Sequence, residues 1–205
     1  MKKYTITSMS KIFSLSPFTD VVVYRIKAVV DIPGRAEAGE LGGWIEKEEN
    51  LSHEGRSWIY GDAVVCQKAV VRDDAIVADR AVISNKAVIA GNAAVFGDAM
   101  VSCSAVVRDH ARVYGAADIT DNGIVCDFAR VYGNAVVSQY AIIGENAQLH
   151  DSASIMDTAC VCGYAHVGGR VIIAGDPVIS SGYIKPTFIS TVREWEAYLK
   201  RLTEE

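Results

Sequence analysis

The sequence predicts an all-β chain wound into a parallel β-helix, and two regularities carry that prediction. Every sixth position from Ala63 to Ala165 is small, alanine throughout except for Gly123. Two residues after each of these comes a Val, Ile or Leu, from Val65 and Val71 to Ile173 and Ile179. Only Val171 and Pro177 break the small-residue rule. A helix cannot use a period of six, and an ordinary strand alternates with period two over a few residues. A fixed short period marks a solenoid whose units bury their apolar side only by stacking.

The elements follow in order. Residues 1–56 read as an N-terminal cap, in which Val21–Val30 is a buried strand and Gly39–Gly43 and Glu46–Asn50 are loops. Residues 57–182 are the coil, since Ser57-x-Ile59 already fits the hexad register. Each hexad supplies a short A-x-V strand and a polar corner, such as the Gly61-Asp62 that follows Tyr60. Three hexads close a triangular turn, so residues eighteen apart stack. At a strand spacing of ~4.8 Å, the hexads build between six and seven turns and a prism roughly 30 Å long. Gly61, Gly97, Gly115, Gly133 and Gly169 fall in one such column with Asp79 and Asp151, which predicts a left-handed backbone corner.

Solenoids expose a core at each end and need caps. Residues 183–205 form the C-terminal segment, where Thr191 and Glu194 make a capping box. Val192, Trp195, Tyr198, Leu199 and Leu202 then share one face of a short helix, expected to cover the last rung or a flat side of the prism.

Composition excludes several classes. With 205 residues, 50% of them hydrophobic, and a net charge of −5, the chain reads as one soluble repeat domain with two end pieces. No apolar run is long enough to span a bilayer, and the start lacks a signal-peptide core, so a cytoplasmic protein is expected. The five cysteines (Cys66, Cys103, Cys126, Cys160, Cys162) are odd in number and contain no CxxC, which points to reduced thiols. Cys126 and Cys162 share a column two rungs apart, with Gly144 between them, too far for a relaxed disulfide. Acidity and the lack of a dense Lys/Arg stripe make nucleic acid a poor fit.

Stacking also writes out the three sides, because the middle residue of each A-x-V points outward. One side reads Val70, Val88, Val106, Ile124, Ile142, Cys160, Val178, an apolar stripe of the kind soluble monomers rarely leave bare. Either β-branched residues simply suit strands, or the stripe is buried by a copy of itself or by the terminal helix. A second side, with Val64, Val82, Met100, Asp118, Val136, Ser154 and Ile172, is mixed and could receive that helix. The third turns polar: Ile76, Ala94, Arg112, Arg130, Gln148, His166. Its corner column runs Tyr60, Ala78, Phe96, Tyr114, Tyr132, His150, with His110 at the adjoining turn. Phe96, Arg112, Tyr114, Arg130, Tyr132, His150 and His166 are therefore the candidate recognition face. Stacked aromatics flanked by arginine can hold bases, sugars or protein side chains; the plainer reading is an aromatic ladder that only stabilises the repeat.

The stretch Gly39-Glu40-Leu41-Gly42-Gly43-Trp44-Ile45-Glu46-Lys47-Glu48-Glu49-Asn50-Leu51-Ser52, running into Trp58-Ile59-Tyr60-Gly61-Asp62-Ala63, closely resembles the YdcK-type β-solenoid proteins of bacteria and phages, as does Tyr24–Ala28 upstream. The resemblance implies a left-handed parallel β-helix of hexapeptide repeats with an N-terminal β-rich cap, a handedness that departs from the usual right-handed crossover. It implies little chemistry, because the transferase label this family carries rests on fold analogy, and it brings no catalytic residues.

A non-catalytic reading follows, with no cofactor, no metal and no catalytic residue assigned. The chain is expected to be a homo-oligomeric scaffold or interaction protein, dimer or trimer, with a protein partner and no membrane role. Its interface is expected at Val70, Val88, Val106, Ile124, Ile142 and Val178. A phage- or mobile-element inhibitor of a host complex is one form of this, using Asp73, Asp109, Asp127 and Glu145 as an acidic column, although such corners are ordinarily just solvated. The alternative is a hexapeptide-repeat acyltransferase with an acyl-CoA donor and His110 or His150 as base. No residue is inserted between Ala63 and Ile179 to wall a pocket, which counts against it. A three-histidine zinc site from His110, His150 and His166 is a remoter option, since their positions span several rungs.

Overall fold

The computed structural model describes residues 2–184 and Lys200. The hexads form a β-solenoid of about 8 turns, built from parallel two-residue strands. Each strand donates and accepts along the coil axis, as in Val64 N to Ala81 O (2.9 Å) and Val82 N to Ala99 O (3.0 Å). The inward alanines and aliphatics, from Ala63 and Val65 to Val167 and Ile173, are buried in one continuous core. Three flat sheets result, and residues eighteen apart are lateral neighbours in each: Val88↔Val106, Arg112↔Arg130, Met100↔Asp118.

Between strands the chain must turn sharply, and it does so with one left-handed residue per hexad. Every sixth residue from Gly61 to Gly175 has positive φ, the glycine column read from the sequence being one of three. Twelve of these corner residues in the coil are not glycine, among them Asp79 (φ 61°), Asn85 (57°) and Cys103 (57°). Asn and Asp enter this region most readily after glycine.

The coil is longer than the six to seven turns expected, because it gains a strand at each end. Parallel pairing reaches back past residue 57. The chain opens with β1 (Tyr4–Ser16) and β2 (Thr19–Ala28), an antiparallel hairpin, followed by β3 (Leu41–Ile45). Strand β3 pairs antiparallel with β2 on one side and parallel with Val64–Val65 on the other. Gly42 and Gly43 are thus strand residues, not the loop expected. They are glycine because of crowding: a Cβ on Gly42 would sit 2.7 Å from Ile26 and from Trp58, and one on Gly43 would run into Ile59. Glu48–Asn50 forms a short 3-10 turn. Register between β3 and the next turn is offset by twenty residues, and between Leu51 and Val71 likewise, but Trp58 and Ile76 are eighteen apart. Two extra residues therefore lie between Leu51 and β4 (Trp58–Ile59). At the far end Tyr183–Ile184 pairs with His166–Val167 one residue short of the repeat.

That two-residue excess is pinned by Lys3, which is 5% exposed. Its Nζ donates to Ser57 O (2.9 Å), Ser57 Oγ (3.1 Å), Gly55 O (3.3 Å) and Glu54 O (3.4 Å). Burial pulls its pKa down to about 8, with Asp74 pulling the other way. The Tyr4 hydroxyl contacts Glu48 O (2.7 Å) and Leu51 O (2.9 Å), and its ring stacks on His53 at 4.3 Å.

The β1–β2 hairpin overhangs the mixed side, where a C-terminal helix was expected as an option. Val23, Val64 and Cys66 are buried together, with Phe13, Leu15, Val21 and Trp44 packed around them. Trp44 lies between two cations, Lys11 Nζ at 4.3 Å and the Arg25 guanidinium at 5.0 Å from its centroid. The helix read from Thr191 to Leu202 lies outside the described residues. Strand β1 is the outer edge of its sheet.

Two outcomes follow from this packing. Gly43→Ala should lower the unfolding free energy by ~1–3 kcal/mol, because Ile59 is held on all sides by the core; chemical denaturation of both proteins checks it. Asp118 is half-buried between Met100 and Val136 in the mixed sheet, and burial, then Asp121, raises its carboxyl pKa. A carboxyl raised in the folded state disfavours folding while ionised, so Asp118→Asn should raise the thermal midpoint at pH 7. That gain should shrink as the pH approaches 4 and the native carboxyl protonates.

Candidate functional site

The corners come first, because they use side chains that the sequence offers as functional. At each corner the left-handed residue's carbonyl accepts from the next residue of the preceding rung, as in Asp62 N to Asp79 O (2.8 Å). Its own N–H has no such backbone acceptor. Where the corner one rung earlier is Asp, Asn, Gln or Glu, its side chain supplies one. Asp73 Oδ2 accepts from Gly91 N (2.9 Å), Asp79 Oδ2 from Gly97 N (2.9 Å) and Asp151 Oδ2 from Gly169 N (2.9 Å). A longer chain of this kind runs Asp109 to Asp127 N (3.3 Å), Asp127 to Glu145 N (2.9 Å) and Glu145 to Gly163 N (2.7 Å). Gln67, Asn85, Asp121, Gln139 and Asp157 do the same in the third column. The acidic column is therefore first a backbone-satisfying ladder. Asp109, Cys126 and Asp127 bring ligand atoms within 4.8 Å of one another, the one such group among the described residues. Both carboxylates already serve the ladder.

The apolar side aligns as read: Val70, Val88, Val106, Ile124, Ile142, Cys160 and Val178 are successive partners in one seven-stranded sheet. Most of the column is half-buried, with exposure reaching 37% at Ile142 and 71% at Val178. The N-terminal cap goes to the other two sides. The hairpin takes the mixed side, and Tyr4 packs edge-on against Trp58 at the head of the third.

On that third side the outward residues run Trp58, Ile76, Ala94, Arg112, Arg130, Gln148, His166 and Tyr183. Along one border Phe96, Tyr114 and Tyr132 stack with centroids 4.9 Å apart and planes within 1°. His150 continues the ladder at 5.3 Å and 20°. It is 8% exposed, with its ring over Gly168, where a Cβ would collide with it. Along the other border His110 and Phe128 stack at 4.9 Å. Phe128 and Tyr183 escaped the sequence reading, although the eighteen-residue interval from His110 to Phe128 was available to find the first. His110 and His150 thus stand on opposite borders, each stacked on a ring.

The ladder changes what this side can bind. The ring faces are consumed by one another at the rung spacing, so mainly ring edges look outward. Bases and sugars recognise the face of an aromatic ring, and the ladder's interior offers none. The cleft of 350 Å³ beneath the hairpin, lined by Phe13, Leu15, Val82, Ser84, Met100 and Ser102 among others, carries no acid or base on its wall. All five cysteines are free thiols. No helix among the described residues is long and apolar enough to cross a membrane.

These features define a β-solenoid with an aliphatic column on one flat side and stacked rings bordering another. No known protein family matches the chain, and no curated protein is similar to it.

The ladder makes a pH-dependent outcome. The Asp127 carboxyl lies below its ordinary range, chiefly because it accepts the Glu145 N–H, with Cys126 and Arg108 helping and burial opposing. Asp62, Asp74 and Asp98 are also lowered, by Trp44, Arg56 and Arg80 first. A depressed native pKa contributes stability above the unfolded value that is lost as pH falls through the folded one. Thermal melts should therefore be level near neutrality and drop below about pH 4, the drop being smaller in Asp127→Asn, which keeps an acceptor without a titrating group.

Proposed function

We propose that this chain is a non-catalytic interaction protein that self-associates through its apolar side, with Val70, Val88, Val106, Ile124, Ile142 and Val178 at the interface. The single observation behind this reading is the column of apolar side chains aligned in one flat sheet, on a side that the N-terminal hairpin does not cover. A flat, regular sheet face presents apolar surface at a fixed pitch, and a second copy presents the same pitch in return. A dimer needs one such pairing and a trimer a shared axis. The polar side, with Arg112, Tyr114, Arg130, Tyr132 and His166, is then free for a protein partner.

The resemblance to the YdcK-type solenoids of bacteria and phages brings no catalytic residues, and a phage-borne inhibitor of a host complex is one form that the interaction reading takes. The acyltransferase alternative lacks a favouring observation, since neither His110 nor His150 faces the cleft under the hairpin.

Light scattering tests the assembly. The parent should run at two or three times the 22.1 kDa chain mass. Val106→Asp/Ile124→Asp should run as a monomer with its circular dichroism unchanged. A monomeric parent, or a variant of unaltered mass, removes the proposal.

A further inference from the structure

We infer that the paired arginines Arg112 and Arg130 are an anion-docking point, built to receive the carboxylates of an acidic segment on a protein partner. The inference rests on the binding-protein reading above but not on self-association, and it concerns a different side of the prism.

The argument starts from a local cost. Arg112 and Arg130 are direct lateral partners in a parallel sheet, on adjacent rungs roughly 4.8 Å apart. Like charges placed opposite one another in a sheet are destabilising. Both side chains are exposed, and neither has a hydrogen bond or an ion pair among the described residues. Other arginines of the coil show how readily this fold relieves such a charge. Arg56 pairs with Asp74 (2.6 Å), Arg72 with Asp73 (3.0 Å), Arg80 with Asp98 (2.6 Å) and Arg108 with Asp109 (2.6 Å). In a chain with 25 acidic residues, the repulsive pair stands in an outward column, from Trp58 to Tyr183, that contains no carboxylate to relieve it. Arg170 makes no ion pair among the described residues either, but it stands alone at a corner.

The surroundings favour a protein ligand. The two guanidiniums lie between two rails of stacked rings, Phe96–Tyr114–Tyr132 on one border and His110–Phe128 on the other. The rails present hydroxyls and ring edges, which suit apolar and hydrogen-bonding side chains. They withhold the ring faces on which bases stack. Arginine binds carboxylates through a planar fork of two parallel hydrogen bonds. Two forks on neighbouring rungs therefore read a pair of adjacent Asp or Glu side chains, and each bound carboxylate removes part of the repulsion between them.

Fluorescence anisotropy with a labelled hexaglutamate peptide tests this at low and high salt. The parent should bind saturably and lose affinity as salt rises, and Arg112→Gln/Arg130→Gln should bind at least tenfold more weakly. The same double variant should melt at or above the parent's midpoint, since a repulsion is removed, which separates lost docking from lost folding. Its mass by light scattering should equal the parent's, so that failure here and failure of the assembly stand apart. Equal affinity in the two proteins, or no saturable binding by the parent, overturns the inference. Tighter binding of a labelled oligothymidine of similar length overturns it too, in favour of nucleic acid.

Discussion

The whole coil depends on one backbone event: a residue entering the left-handed region at every sixth position. For an L-residue other than glycine this costs on the order of 1–2 kcal/mol, and the coil accepts it at twelve places. The event also strands an N–H at the corner, outside the strand-to-strand bonds. The choice of corner residue meets one cost or the other. Glycine removes the strain, whereas Asp, Asn, Gln and Glu bring an oxygen that satisfies the N–H of the next rung, as Asp109, Asp127 and Glu145 do in succession. The polarity of many corners thus has a structural cause, and glycine and carboxylate down a column answer the two costs separately.

That requirement shapes where function can reside. Inward positions are taken by Ala and Val, and corner positions by acceptors and glycine. What remains free is the middle residue of each strand and the residues flanking each corner. The two distinctive surfaces, the aliphatic column and the arginine pair between its rails, are made from those free positions. A surface built this way has a pitch fixed by the sheet.

Much of this was legible in the sequence because the period is short and unbroken. The eighteen-residue stacking that places Val88 beside Val106, and Arg112 beside Arg130, follows from counting alone. The first turn was not legible, because Gly42 and Gly43 look like turn glycines and only the crowding by Ile26, Trp58 and Ile59 shows why they are small. The register there is also offset by two residues, which hides Ile45 and Leu51 from a strict count. Strand β1 was missed since Tyr4–Ser16 is rich in Ser and Thr and has an irregular register between Ile6 and Ser10. For the candidate site, the count gave the columns but not the orientation of rings, nor the backbone N–H groups that occupy the acidic corners.

The two places where the repeat slips, one surplus of two residues before Trp58 and one shortfall before Tyr183, both lie at the extremities. Between them every strand keeps its phase with its neighbour above, so residues added there must be looped out between strands, as the two surplus residues before Trp58 are. Gene-level change in this molecule is therefore quantised: the shaft can be lengthened or trimmed by complete circuits, or repainted by point substitution, while a side branch must leave and rejoin the thread at one bend.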